Sequence, residues 1–314
     1  MKHYFVLGMI FLLLLFTRIG QAQERLDLSA QIPIVAWYGI RANEATVERF
    51  KELKEAGFTI NFSEYSSLEE VEKALDAAHK VGVQLIIACP ELRKEPEKTV
   101  RKFMEHPAVA GYFLRDEPVV TDFAALGDWA KRIQAVDNRK FCYLNLFPTG
   151  GEEHLRFLGV QNYREYITRF NKEVPLPFLS FDHYPVLGDN VLKAEWYENL
   201  EDFSDEARKI GKDFWAFALA TKHGPYPVPT RASLRLQLYS NLVYGAQGLQ
   251  YFTYWTPAGD SFYDYQHGPI GLDGKRTEVY DLVKDMNAEI RSFWGQKFCR
   301  SDIQEVLYRE VRHV

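Results

Sequence analysis

The sequence predicts an α/β fold, a (β/α)8 barrel, and three observations carry that prediction. Strand-like and helix-like segments alternate eight times between residues 30 and 296. Turns from a helix into the next strand are short and closed by glycine, at Gly57, Gly82 and Gly211, whereas strand-to-helix loops are longer and hold the chemically unusual residues. The stretch 83–89 is a continuous apolar run, the pattern of a parallel strand buried on both faces. A doubly wound open sheet is the competing architecture. It would usually carry a glycine-rich phosphate loop after its first strand, and that junction here reads Trp37-Tyr38-Gly39-Ile40-Arg41.

The elements follow in order. Residues 32–39 form the first strand, and 43–56 the first helix, with Val47, Phe50 and Leu53 on one face. The second strand is 58–63. Leu68, Val71, Leu75 and Ala78 make the next helical face at the spacing of an amphipathic helix. After the strand at 83–89, a helix runs from Pro96, a favourable first-turn residue, to about Glu105. The fourth strand, 109–114, precedes a helix carrying Phe123, Leu126, Ala130 and Ile133. Strand 140–147, a glycine-rich loop and helix 161–173 come next, then strand 177–184 with helix 196–210. Strand 213–220 with helix 233–244, and strand 248–255 with helix 278–294, complete the set. The longest strand-to-helix loop, 256–277, contains Asp260, Phe262, Tyr263, Asp264, Tyr265 and His267.

Composition narrows the function. The chain has 314 residues, a net charge of −5, 46% hydrophobic and 15% aromatic residues. That length suits one large α/β domain with a full core. A mildly acidic chain with no basic stripe argues against nucleic acid and anionic membrane surfaces as partners. Many of the aromatic residues fall in loops, where rings can stack on the C–H faces of sugars. The 3 cysteines are an odd number, which speaks against a disulfide framework, and no Cys or His spacing resembles a zinc site, so no metal or other cofactor is expected. Residues 1–22 read as a secretory signal: Lys2, an apolar segment over 4–16, and Gly20-Gln21-Ala22 as a cleavage site. The apolar run is short for a membrane span. A secreted or periplasmic protein beginning near Gln23, with no membrane insertion after cleavage, is expected. Residues 297–314 read as an extension, with an apolar piece at 303–311 that reads as a strand, either padding the barrel or opening a small β-domain. Oligomeric state leaves no mark on the sequence.

The most informative stretch is Gly111 to Val120. A short apolar strand ends in Arg115-Asp116-Glu117-Pro118. A strand interior does not tolerate such a charge cluster, and Pro118 cannot continue the ladder. Two carboxylates therefore stand where a strand leaves the sheet, the place where barrel enzymes hold their catalytic groups. The other strand ends add Trp37 and Tyr38, Asn61 and Glu64, Asn145, then Asp182, His183 and Tyr184, then Thr221, Lys222 and His223, and last Tyr254 and Trp255. Carboxylates, amides and rings around one cavity suit a polyhydroxylated substrate. Glycoside cleavage needs a protonated carboxyl at the leaving oxygen and a second carboxylate that attacks or activates water. Asp260 and Asp264 read as turn formers, and Lys222 lacks the apolar surroundings of a Schiff-base lysine.

On these motifs the sequence resembles the retaining barrel glycoside hydrolases of clan A, especially family 42-like β-galactosidases, which carry Asn-Glu-Pro or Asp-Glu-Pro at the end of the fourth strand. A second likeness runs through Pro229-Thr230, Leu234-Arg235 and Tyr244-Gly245-Ala246-Gln247-Gly248-Leu249-Gln250-Tyr251-Phe252 to Tyr254-Trp255. The resemblance implies that Glu117 is the acid/base and Trp255 a sugar platform. It also implies a nucleophilic Glu at the end of the seventh strand. That strand here reads Phe214-Trp215-Ala216-Phe217-Ala218-Leu219-Ala220-Thr221-Lys222-His223, with no carboxylate. Three routes stay open: another carboxylate serves, Asp182 first and Glu64 second; the substrate assists its own cleavage; or the protein binds sugar without cutting it. The expected catalytic residues are Glu117 and Asp182. Trp37, Tyr38, Glu64, Asp116, Asn145, His183, Tyr184, His223 and Trp255 are the expected carbohydrate contacts.

Overall fold

A computed structural model describes residues 32–259 and 263–297. The expected signal at 1–22, the strand at 303–311, and Asp260 and Phe262 of the long loop lie outside the described residues.

Eight strands alternate with helices as the sequence predicts. They run β1 (Ile34–Trp37), α1 (Val47–Glu55), β2 (Ile60–Phe62), α2 (Leu68–His79), β3 (Gln84–Ile87), α3 (Pro90–Lys94), α4 (Pro96–Phe103), β4 (Val109–Asp116), α5 (Phe123–Gln134) and β5 (Phe141–Asn145). The second half continues with α6 (Glu152–Leu158), α7 (Tyr163–Glu173), β6 (Phe178–Phe181), α8 (Glu195–Ile210), β7 (Asp213–Leu219), α9 (Arg231–Val243), β8 (Gly248–Phe252) and α10 (Glu278–Lys297). Two short helices, α3 and α6, lie in stretches that read as loops. The first begins at Pro90, whose fixed φ suits a first helical turn. Side-chain caps set other starts: the Thr46, Ser67, Asn162 and Thr230 hydroxyl or amide oxygens accept from the backbone N–H three residues on.

All strands pair in parallel, in the order β5-β4-β3-β2-β1-β8-β7-β6. The ring closes between β5 and β6 through a parallel bridge of Leu146 and Phe181, where the Leu146 N–H donates to the Ser180 carbonyl at 2.8 Å. The fold is a (β/α)8 barrel, nearly closed. No helix among the described residues is long and apolar enough to cross a membrane.

Alternation along each strand divides the core in two. Outward residues such as Ile34, Leu85, Val109, Leu144, Leu179, Ala218 and Leu249 meet the helices. Inward positions are filled by rings: Trp37 lies 4.2 Å from Phe62, 5.9 Å from Phe113 and 5.2 Å from Phe217, and below them Phe178 stacks on Trp215 at 4.1 Å. Two glycines make room for these rings. A Cβ at Gly111 would stand 2.5 Å from the Phe141 ring, and one at Gly248 would stand 2.5 Å from the Trp215 indole. The interior is thus a solid aromatic plug, and what lies above it at the C-terminal ends of the strands is a shallow bowl.

Candidate active site

The bowl is assembled from strand ends, and one irregularity decides which charges it receives. On β4, Phe113 pairs with Tyr143 of β5, but the next pairs are Arg115 with Leu144 and Asp116 with Asn145. Leu114 is an extra residue, a β-bulge, which shifts every later side chain to the other face. Asp116 therefore faces inward beside Asn145, and Arg115 faces outward, where its guanidinium meets Asp122 at 3.4 Å. Glu117 follows in the left-handed region, φ 46°, with its N–H donated to the Asn145 carbonyl at 2.8 Å. A bulky residue held at positive φ costs backbone energy, and such strain gathers at functional sites. The turn is pinned from outside by Tyr166, whose hydroxyl donates to the Pro118 carbonyl at 2.5 Å.

On β6 the alternation is regular, so Phe178, Ser180 and Asp182 point inward, and His183 points away. The side chain of Asn145 joins two of the acids. Its Nδ2 donates to Asp182 Oδ1 at 2.8 Å and to Asp116 Oδ1 at 3.2 Å. Its orientation is set from below: Ser180 Oγ donates to Asn145 Oδ1 at 2.9 Å, Gln250 Nε2 donates to Ser180 Oγ at 2.8 Å, and the Tyr143 hydroxyl donates to Gln250 Oε1. The amide hydrogens of Asn145 are thereby aimed at carboxylates and nowhere else.

The electrostatics follow from burial and crowding. Glu117 is raised far above the ordinary carboxylate range by burial, then by the charges of Asp182 and Asp116, and it donates a hydrogen bond to Asp182. Asp182 is also raised by burial, against the opposing pull of Asn145, Glu117 and the Tyr184 hydroxyl. With three side-chain donors on Asp182, the shared proton resides on Glu117. Asp116 is pushed up to about 7 by burial and by the charges of Asp182 and Glu64, with Asn145 pulling the other way. Water reaches Asp116 through the mouth of the bowl, although protein surrounds it on the other sides.

The remaining expected residues divide. Tyr38, at the end of β1 with φ 46°, is 51% exposed at the mouth and feels both Glu64 and Asp116, whose charges add to burial in raising its hydroxyl. Exposed Glu64 and buried Tyr184 join it around the acids. His223 belongs to an aromatic wall across the bowl, 4.9 Å from Tyr226, 5.1 Å from Tyr265 and 5.5 Å from Phe252, and Phe252 meets Tyr38 edge-on at 5.9 Å. Burial holds His223 neutral, with Nδ1 3.2 Å from the Thr221 carbonyl.

Three residues fall elsewhere. Trp37 is 4% exposed, inside the plug. Trp255 is 3% exposed, with the Arg41 and Arg49 guanidinium groups against its ring at 4.8 and 5.1 Å, so it is not open to a sugar. His183 is buried against α8, its Nδ1 2.8 Å from Asn199 Oδ1, with burial pushing it down to about 4. A tryptophan at a strand end can satisfy its apolar surface by turning under the adjacent loop as well as by lining a cleft. Ser180 and Gln250, which orient the site, escaped the sequence reading. Their mark was a polar residue at an inward position within an apolar strand.

Asp182 and Glu117 act directly on one another, each shifting the other's hold on a proton. The end of β7 contributes Thr221, whose hydroxyl meets that of Thr253 at 2.7 Å. Lys222 is paired with Asp264 of the long loop at 3.7 Å. Among the described residues no group of three His, Cys, Asp or Glu side chains could hold a metal ion.

No family model matches the chain, and no curated protein matches its sequence. The barrel is similar to that of a putative α-L-fucosidase from Bacteroides thetaiotaomicron, with a TM-score of 0.55 at 12% identity, over 77% of this chain and 88% of that one. It is similar to a β-galactosidase from Bacillus circulans sp. alkalophilus, with a TM-score of 0.61 at 10% identity, over 86% of this chain and 57% of that one. A β-galactosidase from Halorubrum lacusprofundi gives 0.57 at 11% identity, over 82% of this chain and 58% of that one. The chain thus spans less than two thirds of either β-galactosidase. Likeness at such identity establishes the barrel and leaves the chemistry to the site.

Proposed function

We propose that this chain is a glycoside hydrolase acting on a β-linked glycoside or oligosaccharide, with Glu117 as the general acid. The observation that carries the reading is the cluster of Glu117, Asp116 and Asp182 around Asn145 at the open end of the barrel, where burial and the neighbouring acids raise Glu117 far above the ordinary carboxylate range. A general acid must hold its proton near neutral pH and stand where substrate can reach it. Glu117 is half-buried and crowded by two acids, and among the described residues no cation pairs with it. The wall formed by Tyr38, Phe252, Tyr226 and Tyr265 supports a sugar as the occupant, since rings stack on C–H faces while the acids and Asn145 meet hydroxyls. The similarity of the barrel to enzymes named as fucosidase and β-galactosidase agrees with this class. Export directed by residues 1–22 belongs to the same proposal.

A second reading is a carbohydrate-binding protein on a glycosidase-like barrel. It is favoured by the absence of a carboxylate at the end of β7. Aryl glycosides and plant or algal oligosaccharides separate the two. Release of aglycone or reducing ends by the wild type, lost in Glu117→Gln, supports hydrolysis. Saturable binding with no product supports the second reading and ends the first.

A further inference from the structure

The reading of Glu117 as a general acid leaves one chemical requirement unmet. As the glycosidic bond breaks, the anomeric carbon needs an electron pair from the face opposite the leaving group. The ends of β7 and β8 read Leu219-Ala220-Thr221-Lys222-His223 and Thr253-Tyr254-Trp255, without a carboxylate. Among the described residues the strand-end acids of the bowl, Glu64, Asp116, Glu117 and Asp182, come from the β2, β4 and β6 side, and Asp264 of the long loop is held by Lys222 at 3.7 Å. Asp182 is occupied by Asn145, Tyr184 and Glu117. Asp116 differs. Asn145 holds one of its oxygens at 3.2 Å, and among the described residues the other oxygen has no hydrogen-bond donor, while water reaches the side chain from the mouth. An inward carboxylate with one open oxygen, next to the acid, is a receptor for an N–H or O–H of the substrate.

Resting on that reading, we propose that the substrate is a β-linked 2-acetamido-2-deoxy sugar whose own acetamido oxygen attacks the anomeric carbon, and that Asp116 accepts the acetamido N–H. In the first step the carbonyl oxygen forms a bond to C1 while the C1–O bond to the leaving group breaks. The leaving oxygen takes the proton of Glu117, giving a free alcohol, a Glu117 carboxylate and a bicyclic oxazolinium ion whose N–H rests on Asp116. In the second step a water molecule gives one proton to Glu117 as its oxygen bonds to C1. The bond from C1 to the acetamido oxygen breaks, and its electron pair restores the amide. One water is consumed, the configuration at C1 is retained, and no bond to the protein forms.

Two further observations bear on the class of sugar. Among the described residues the charges that act most strongly on Asp116 and Glu117 are other carboxylates, so the floor of the bowl opposes a uronate or sulfated sugar and accepts a neutral one that donates N–H. Backside attack by a C2 substituent requires it to lie trans to the leaving group, which a β-linked gluco or galacto sugar provides.

The experiment uses the full chain with p-nitrophenyl 2-acetamido-2-deoxy-β-glucoside and β-galactoside, the matching 2-hydroxy glycosides, and N-trifluoroacetyl analogues. The expected kcat/KM for the acetamido sugars exceeds that for the 2-hydroxy sugars by about 100-fold or more, the scale of a well-placed intramolecular group. Fluorination, which withdraws electrons from the attacking oxygen, is expected to slow turnover at least about tenfold, and Asp116→Asn about 100-fold. Because the fluorinated series uses the wild type, it remains decisive if the variant folds poorly. Equal or faster cleavage of the 2-hydroxy sugars, or no effect of fluorination, overturns the inference and leaves Glu117 as an acid. No cleavage of either set overturns both.

Discussion

Asn145 donates its side-chain amide to Asp182 at 2.8 Å. That bond locates the negative charge of the Glu117–Asp182 pair, because an anion facing an N–H is favoured over a neutral acid in the same place. Replacing Asn145 by Ala removes this donor and the one to Asp116, and leaves the buried Ser180 hydroxyl without its acceptor. The expected outcome is a loss of about 1–3 kcal/mol of stability. Turnover should fall, and the acid limb of its pH profile should move to higher pH. Denaturant melts and a kcat/KM profile check both.

Glu117→Gln keeps the size of the side chain and a donor toward Asp182, and removes the transferable proton. Turnover should drop by about 10²–10⁴-fold. The loss should be larger for an alkyl or sugar leaving group than for nitrophenolate, which departs with little protonation. Equal losses on both would show that proton delivery is not the role of Glu117.

Stability should fall as pH rises through neutrality. Asp116 binds its proton more tightly folded, with its pKa pushed up to about 7, than unfolded, where it titrates near 4. Between those values the folded state holds more protons, so the contribution of Asp116 is complete below about pH 4 and is lost as pH climbs through about 7. Asp182, Glu64 and Asn145 face this group, and the raised Glu117 has the same sign. Denaturation at pH 5 and pH 8 should give a lower midpoint at pH 8. Asp116→Asn should shrink that difference.

Gly111→Ala tests the aromatic plug. The added methyl would stand 2.4 Å from the Phe141 carbonyl oxygen and 2.5 Å from its ring, atoms that are fixed on a neighbouring strand. Overpacking of this kind costs about 1–3 kcal/mol. A melting temperature unchanged within error would mean the barrel interior is looser than described.

The barrel was legible in the sequence because eight apolar runs, glycine-closed turns and helical faces repeat at the same scale, and the glycine-closed turns at Gly57, Gly82 and Gly211 do sit at helix ends, each with positive φ. The acids at the end of β4 were legible for a local reason: an Arg-Asp-Glu-Pro cluster is incompatible with a strand interior. The direction of each side chain was not. Whether Arg115 or Asp116 turns inward depends on the pairing of β4 with β5, a long-range relation that leaves no local mark. Trp37 and Trp255 were read as sugar contacts because position alone does not distinguish a ring that lines a cleft from one that seals the layer beneath it. Ser180 and Gln250 were hidden within apolar runs, and their importance emerges only when β5, β6 and β8 converge.

The extra residue at Leu114 works as a charge selector. Were β4 to run on through Leu114 in regular alternation, with no bulge, the pleat would turn the guanidinium inward and carry Asp116 out among the helices. A cation would then stand beside the acid and draw its proton away. The polarity of the whole cleft is thus written in how two strands pair at a single position, and a β4 forced into regular alternation there would change more than any substitution of the acids themselves.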